Sequence, residues 1–433
     1  MEKQKTGKQK MEKQKTGGGG TFVKIAFRNI FRNFRRTMFC VAAVGIAVFF
    51  IVFYSSLISG MLKSMHEVVQ VFELGHVRAV SAQYEEENEY SPVQYPVAEG
   101  QSLAAVTKLI QAIPGVKAVF PRISAYAALQ ENVIKHAVLW GLDMAEESKV
   151  NNFNLTRRDD GLVEGRYPAP GSNECAIGLR FAEKSGLKIG DPIPLITMSS
   201  QFSDRPWSPV VSGIFRFDYA KVDGETIIVD IGRLQRLLVL EDAAQQLIVY
   251  AASPGMSGRI AGEMEKILGP ANVCTEWRDQ YWIVMMNMYE PLFLLIYLIF
   301  LIVACFLIVN TVTMIIHERI KEIGMMGSLG MTRGEIVRVF FFESLFLAMT
   351  GAAAGVVLGG LVTGIGQFFP LRWTAIAGES TFAEMPAANA IFLDFSPANL
   401  LQGWLLGVLV ASLFTLFPSL KSAFVEPVEA LRR

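Results

Sequence analysis

The chain has 433 residues, of which 52% are hydrophobic and only 18% are charged, whereas a soluble domain averages about 25% charged residues. This composition argues against a purely soluble protein. The 40 basic and 40 acidic side chains cancel, so the basic excess that indicates nucleic-acid binding is missing, and four cysteines are too few for a disulfide scaffold.

The beginning of the chain contains a repeat, because the heptapeptide at Met1–Gly7 returns at Met11–Gly17 and a glycine run follows it. We interpret residues 1–20 as a non-native addition or, alternatively, as a disordered arm. Residues 21–36 carry basic side chains and no acidic one. They predict a cytoplasmic amphipathic helix before the first membrane span.

Four long runs contain no charged residue, and each exceeds the roughly 20 apolar residues that a helix needs to cross a bilayer. These runs are Thr37–Leu62, Pro291–Ile316, Ser344–Leu371 and Phe395–Leu420. A buried helix of a soluble core is the alternative, but it rarely continues so far without a charge. The predicted transmembrane helices are residues 37–62, 291–316, 339–371 and 395–420.

Basic residues lie next to the predicted spans on one side of the membrane. They precede span one, separate spans two and three, and follow span four: Lys24, Arg28, Arg32, Arg35, Arg36, Arg319, Lys321, Arg333, Arg338, Lys421, Arg432 and Arg433. The positive-inside rule therefore places residues 317–338 and the tail 421–433 in the cytoplasm. Residues 63–290 and the short loop 372–394 are then outside.

The outside segment alternates apolar strand patterns with a few helical ones. Predicted helices and strands near its two ends are the helices 101–112 and 257–268 and the strands 116–120, 246–252 and 272–276. A β-rich stretch with many glycines lies between them, at about 138–239. We therefore predict an α+β domain that is split, with one subdomain formed by both ends of the segment and a β-rich insert in its middle.

No catalytic or metal-binding pattern is evident in this segment. The four histidines, His66, His76, His136 and His317, are not spaced as metal ligands on one helix or loop, so no catalytic residue and no metal site is predicted. A disulfide between Cys175 and Cys274 is left open, although their different predicted subdomains argue against it.

The cytoplasmic loop between spans two and three holds the most informative pattern. Ile320, Ile323 and Met326 repeat at helical spacing, and charged side chains cover another face. Gly324 and Gly327 loosen this short amphipathic helix, and Gly330 ends it. An interfacial helix on lipid headgroups is one interpretation. The mixture of acidic and basic side chains favours the other, a docking element for a cytoplasmic protein.

Three separated motifs resemble the FtsX/MacB-type ABC transporter permeases. Glu318-Arg319, Glu322-Ile323-Gly324 and Leu329-Gly330 are similar to the ERxxEIG…LG signature of that family. Phe27–Thr37 resembles its opening helix, and Pro418–Arg432 resembles its C-terminal motif. The layout is most similar to that of the lipoprotein-releasing LolC/LolE-like branch. Gly75-His76-Val77 after span one also resembles the Gly-His-hydrophobic strand of that branch.

The resemblance implies a fold, partners and a function. The fold is an α-helical membrane protein with four transmembrane helices and a MacB-like periplasmic core in the bacterial inner membrane. Because the chain contains no P-loop motif, the resemblance implies no cofactor here. ATP and Mg would be bound by a separate ATPase subunit, in two copies. The other expected partners are a second permease, of the same or a homologous chain, and the membrane lipids; no nucleic acid is expected.

The same resemblance implies extraction of lipoproteins from the outer leaflet by mechanotransmission, in which ATPase closure pushes the cytoplasmic loop and the spans pass the push outward. The alternatives are MacB-like efflux of amphiphilic small molecules or peptides, and FtsX-like signalling to a periplasmic partner. The ATPase-coupling residues would be Glu318, Arg319, Ile320, Glu322, Ile323, Gly324, Met326, Leu329 and Gly330.

Two further sets of residues are predicted within the spans. Phe53, Leu57 and Met61 form one apolar stripe in the outer half of span one, and Leu292, Ile296 and Ile299 form another in span two. We predict that they hold the acyl chains of the cargo; simple lipid exposure is the alternative. Gly351, Gly355 and Gly359 form a glycine row in span three, which predicts close helix packing.

Overall fold

The computed structural model describes residues 34–84, 93–130, 134–154, 161–318, 320–369, 371 and 391–423. These residues belong to two compact units. The helical unit comprises those within Met1–Gly60, Glu290–Phe369 and Leu393–Arg433, and the α+β unit comprises those within Met61–Tyr289 and Pro370–Phe392. The predictions for residues 1–20, for the basic segment up to Asn33 and for most of the loop 372–394 fall outside the described residues.

The α+β unit contains one mixed sheet of eleven strands among its described residues. The strands are β1 Val77–Ser81, β2 Val116–Leu129, β3 His136–Leu142, β4 Leu162–Gly165, β5 Glu174–Gly178, β6 Leu195–Met198, β7 Asp204–Trp207, β8 Val210–Phe215, β9 Thr226–Asp230, β10 Gln246–Ala251 and β11 Asn272–Glu276. Their order is β11-β1-β10-β2-β3-β9-β5-β8-β4, and β6 pairs with both β2 and β7.

Several helices accompany this sheet in the described part of the unit. They are α1 Phe34–Val68, which enters from the helical unit, and then α2 Leu103–Gln111, α3 Met144–Glu147, α4 Leu179–Ser185, α5 Ala220–Glu225, α6 Ile231–Leu238 and α7 Ser257–Leu268. A π-helical turn, Val69–Leu74, directly follows α1, and we call it the π turn. The apolar faces of α2 and α7 are buried in the core through residues such as Ile110 and Ile260.

The predicted α+β class is confirmed. Near the C-terminal end of the segment α7 and β11 have the predicted limits, and near its N-terminal end α2 lies within the predicted helix and β2 starts at the predicted residue. The predicted division into two subdomains remains a prediction, but one of its strands is longer than predicted. The strand predicted at Val116–Phe120 continues to Leu129, and its first half pairs with β10 while its second half pairs with β3. Through β10 the first half of β2 joins the strands from the two ends of the segment, and its second half pairs with the strands of the β-rich stretch, so this one strand is shared by the two halves of the sheet.

Pro121 directly follows the predicted end of this strand. Proline lacks a backbone donor and normally interrupts a central strand. Here it faces Leu247 of β10, and pairing with β3 starts only at Ile123. The proline therefore lies where β2 is paired along one edge, which a strand tolerates.

Four helices form the helical unit together with α1. They are α8 Tyr281–Glu318, α9 Ile320–Ser328, α10 Arg333–Gly366 and α11 Pro397–Ala423. Three stretches of the described residues are long and apolar enough to cross a membrane, at Thr37–Leu74, Arg333–Gly366 and Pro397–Phe414. The predicted second span lies inside α8. The apolar stretch found there, Pro291–Val303, is shorter than the three candidate spans. Four spans therefore remain a prediction and are not confirmed.

The cysteines do not form the disulfide that the sequence left open. Cys175 in β5 and Cys274 in β11 are both buried, and both are free thiols. Burial raises the pKa of Cys274 to about 12 and raises that of Cys175 further. Both side chains therefore stay neutral and pack as small apolar groups.

Candidate functional site: coupling loop and helix interfaces

The coupling loop, residues 317–338, folds as a short helix and a tight turn before α10. α9 ends at Ser328, and Gly330 adopts a φ of +93°, which glycine reaches without strain. Met326 and Met331 pack against the buried side chains of Ile336 and Phe340 in α10. The turn is therefore attached to the start of α10 by apolar contacts.

A capping box fixes the first turn of α10. The backbone N–H of Glu335 donates to the Thr332 hydroxyl at 3.4 Å, and the backbone N–H of Thr332 donates to the Glu335 carboxylate at 2.9 Å. The two residues thereby satisfy donors that helix starts otherwise leave open. Sequence reasoning missed this box, although the Thr-x-x-Glu spacing at Thr332 signals it.

The predicted coupling residues are not equivalent in the structure. Leu329 is 85% exposed, whereas Gly324 is buried and Ile320, Glu322 and Met326 are half-buried. Glu318 ends α8 and Ile323 lies within α9, while Arg319 falls outside the described residues. An apolar side chain that protrudes fully beside a glycine turn is suited to insertion into a partner.

The glycine row of α10 lies against α1 at distances that no larger residue permits. A Cβ atom at Gly355 would lie 2.4 Å from the carbonyl oxygen of Gly45, and one at Gly351 would lie 2.7 Å from the Cβ of Val44. At Gly359 the nearest atom is a methyl carbon of Val52, at 2.8 Å. The row thus permits the backbones of the two helices to approach closely.

Two further glycines, which the sequence analysis did not single out, pack on the same face of α1 and belong to α11. Cβ atoms at Gly403 and Gly407 would lie 2.6 Å and 2.3 Å from methyl carbons of Val52 and Val48. Val44, Val48 and Val52 therefore form a buried ridge on α1 that is covered by glycines and alanines of both α10 and α11. The four-residue spacing of Gly403 and Gly407 is the signal that could have revealed it.

The outer halves of α1 and α8 meet through tyrosines. The hydroxyl of Tyr54 donates to the carbonyl of Phe293 at 3.2 Å, and the rings of Tyr54 and Tyr297 stack with centroids 6.3 Å apart. Of the predicted stripes, Phe53, Leu57 and Ile296 are half-buried, while Leu292 and Ile299 are exposed by 48% and 53%. Met61 is also half-buried and belongs to the α+β unit.

Two family models match the chain over regions that correspond to these elements. The model described as MacB-like periplasmic core domain matches residues 37–267, and the one described as FtsX-like permease C-terminal matches residues 294–427. The chain belongs to the FtsX/MacB-type ABC transporter permeases. The resemblance that the three sequence motifs indicated is thereby confirmed, and the permease is a membrane protein with a MacB-like periplasmic domain.

Individual relatives of this permease carry names from two branches. The lipoprotein-releasing system transmembrane protein LolC of Haemophilus influenzae is 26% identical over 66% of this chain and 70% of its own length. LolE of the same organism is 25% identical over 75% of this chain and 79% of its own length. The macrolide export protein MacB 1 of Aeromonas hydrophila is 28% identical over 29% of this chain and 17% of its own.

Sequence reasoning also missed a buried ionic cluster in the periplasmic domain of the permease. Arg122 in β2 and Glu147 in α3 form an ion pair of 2.5 Å with exposures of 3% and 0%. The Tyr250 hydroxyl donates to the same carboxylate at 2.9 Å. Burial alone would lower the pKa of Arg122, but Glu147 and Tyr250 raise it overall, so the guanidinium stays charged. No local motif announces this pair, because its members lie on separate elements.

Proposed function

We propose that this permease works with a separate ATPase to extract lipoproteins from the outer leaflet of the bacterial inner membrane. The observation that supports this cargo most directly is the similarity to LolC and LolE, which extends over two thirds to three quarters of the chain. Both termini and the coupling loop would face the cytoplasm, in accordance with the positive-inside rule. A second permease, identical or homologous, would complete the transporter.

The energetic problem explains why an ATPase is required. Each buried CH₂ group of an acyl chain holds a lipoprotein in the bilayer by about 0.8 kcal/mol. Chains of ordinary length therefore do not leave the membrane spontaneously on a useful timescale. ATP and Mg bound in the partner subunit would supply the free energy, and this permease would convert closure of the ATPase into movement outside the membrane.

The coupling loop is the part that we assign to the ATPase contact. Leu329 protrudes into solvent, and the contacts of Met326 and Met331 with α10 give it a firm base. A push on Leu329 would thus reach α10 directly. The glycine row would pass the push on to α1, because the backbones of the two helices are in close contact there and the valines of α1 fit against the glycines.

Cargo would enter laterally near the outer halves of α1 and α8. An acylated protein lies in the outer leaflet, so its acyl chains reach these helices from the side. The half-buried stripe of Phe53 and Leu57 and the exposed Leu292 and Ile299 offer apolar surface without charge. Dispersion and exclusion of water are sufficient to hold acyl chains there.

Reconstitution tests this proposal. The permease, its ATPase and the second permease are placed in proteoliposomes that contain a labelled acylated lipoprotein, and ATP-dependent release of the label to a soluble acceptor is measured. Leu329→Ala and Glu322→Lys should reduce release and weaken co-purification of the ATPase. Leu109→Ala removes another exposed leucine, in the α+β unit, and serves as the matched control that should behave like the wild type.

Efflux of an amphiphilic small molecule is the second candidate, and the match to a macrolide exporter favours it. The same proteoliposomes distinguish the two candidates when they are loaded with a fluorescent macrolide. ATP-dependent transport of the macrolide, with no release of lipoprotein, would replace the first assignment by the second. Release of lipoprotein that does not respond to either loop variant would remove the coupling role from the loop.

A further inference from the structure

The outer end of α1 is held by side chains from distant parts of the α+β unit. The last carbonyl groups of a helix have no partner within the helix and need another donor. After the π turn, Gly75 leaves the helix with a φ of +61°. Asn151 donates its amide to the carbonyl of Val71 at 2.9 Å, and Arg122 donates to the carbonyl of Phe72 at 2.6 Å. Both caps are therefore tertiary contacts.

The two capping side chains are themselves fixed. Glu147 pairs with Arg122 on one side and accepts from Tyr250 on the other, and Asn151 donates to the Tyr250 hydroxyl at 2.8 Å. The cluster thus connects β2, β10 and the segment that follows α3 to two successive carbonyl groups of the π turn. A buried cation at a helix C-terminus also interacts favourably with the helix dipole.

The side chain of Phe72 adds an apolar anchor at the same point. It is 2% exposed and lies in an aromatic pocket whose four rings have centroids 5.5 to 6.4 Å from its own: Trp140, Phe153, Phe217 and Tyr219. Aromatic rings at these separations attract one another beyond the burial of their area. Backbone caps and a ring in a closely fitting pocket together prevent the π turn from moving without its surroundings.

The π turn and its contacts have two features that ordinary packing of a protein core does not require. The chain widens into a π-helical turn, a rare arrangement that is frequent at functional sites. The turn is also gripped through its backbone by charged and polar groups in the interior. Such groups add little net stability over apolar packing, and in some proteins they are the groups that fix a single geometry.

We propose that the π turn, with Phe72 in the aromatic pocket and Arg122 and Asn151 as positioning residues, is the joint through which movement of α1 reaches the periplasmic sheet. This inference rests on the proposed coupling to an ATPase but does not depend on the identity of the cargo. Displacement of α1 along its axis would move β2 and β10 directly, because both strands contribute to the cluster.

Hydrogen exchange of the complete complex tests the joint. Exchange in β2 and β10 is compared between the nucleotide-free complex and the complex trapped with ATP and vanadate. In the wild type we expect trapping to change exchange in both strands. Phe72→Leu should abolish that change in the strands while the membrane helices and the basal ATPase activity still respond to nucleotide.

Phe181→Leu is the matched control, because Phe181 is as buried as Phe72 and belongs to the core of the same unit, in a different apolar cluster from Val69 and Leu74 of the π turn. It should lower the unfolding temperature to a similar extent and retain the response of the strands. If Phe72→Leu does not fold, Asn151→Ala removes one cap only and should weaken the response. A response in Phe72→Leu equal to the wild type, or an equal loss in Phe181→Leu, would overturn the joint.

The two proposals fail in different ways. A wild-type complex that releases no lipoprotein but changes exchange in the strands on trapping refutes the cargo and supports the joint. A wild-type complex that releases lipoprotein without any change in the strands refutes the joint and supports the cargo.

Discussion

The interior of the α+β unit and the interior of the helical unit are stabilised by different kinds of interaction. The α+β unit buries an apolar core together with hydrogen-bonded charged groups, of which Arg122 and Glu147 are the most enclosed pair described above. In the helical unit the corresponding interior is a valine ridge on α1 covered by glycines. Large apolar side chains such as Leu361 and Leu409, by contrast, are about 60% exposed there.

The surrounding solvent explains this difference. In water, burial of apolar area drives folding, and large side chains are therefore drawn inward. In a bilayer the lipid tails are as apolar as leucine, so helices associate by close packing of small residues. The same chain consequently places its large apolar residues inside one unit and on the surface of the other. Substitutions of buried charged groups in the α+β unit and of glycines in the helical unit therefore test whether the two interiors depend on different interactions.

The largest effect is expected from Glu147→Ala, which leaves the charge of Arg122 buried without its partner. Removing one member of a buried pair typically costs about 3–5 kcal/mol of unfolding free energy. Denaturant unfolding of the purified permease in detergent measures it. Glu146→Ala is the neighbouring control, since that carboxylate pairs with Lys149 on the surface and should cost under about 0.5 kcal/mol. Equal effects of the two variants would show that the buried pair is dispensable.

The next effect concerns pH. Burial raises the pKa of Asp223 from 3.8 to about 7, although its carboxylate accepts the backbone N–H of Phe217 at 2.8 Å. Between about pH 5 and 8 the unfolded state has already lost this proton, whereas the folded state holds it until the pH passes about 7, so the free energy of unfolding should fall by about 3 kcal/mol as the pH rises. Asp223→Asn should remove this decrease.

The difference between the wild type and Asp223→Asn at each pH isolates this group, because other titrating residues contribute equally to both proteins. The measurement is the denaturant midpoint of unfolding at each pH, followed by the circular dichroism of the β-strands. The same substitution at Asp204, which is exposed, serves as the control for replacing an aspartate in this unit. A difference between wild type and Asp223→Asn that stays constant with pH would mean that Asp223 is ionised throughout this range in the folded protein.

The smallest effect is expected from Gly355→Ala in the helical unit. The added methyl group would lie 2.4 Å from a carbonyl oxygen of Gly45, so α1 and α10 must separate. Overpacking of this kind costs about 1–3 kcal/mol. Unfolding in mixed detergent and SDS micelles measures the loss. Gly334→Ala on the same helix has no atom within 4 Å of the new methyl group and should be neutral or slightly stabilising.

Elements with local punctuation were predictable from the sequence. The limits of α7 and β11 are the predicted ones, because Gly269 ends the helix and an apolar strand pattern follows directly. The glycine row was recognisable from its spacing of four residues. The family itself was evident from the motif around Glu318 and Glu322, which lies within one short stretch.

Features that depend on distant parts of the chain were not predictable. β2 was expected to end at Phe120, yet pairing with β3 and β6 extends it past Pro121 to Leu129. The ion pair of Arg122 and Glu147, and the capping of the π turn, likewise require strands and loops that meet only in the folded protein. The periodicity of α1 gave no sign that its last turn would be π-helical.

The amino-acid sequence by itself determined the kind of protein, because charge-free runs, basic flanks and short motifs act through local chemistry and through the solvent around each segment. Only the tertiary structure decided which surfaces meet. It set the valine ridge of α1 against the glycines of α10 and α11, and it brought Arg122 and Asn151 to the carbonyl groups of the π turn. Such contacts join residues far apart in the chain, and their geometry follows from sheet order and helix packing, which no local pattern encodes.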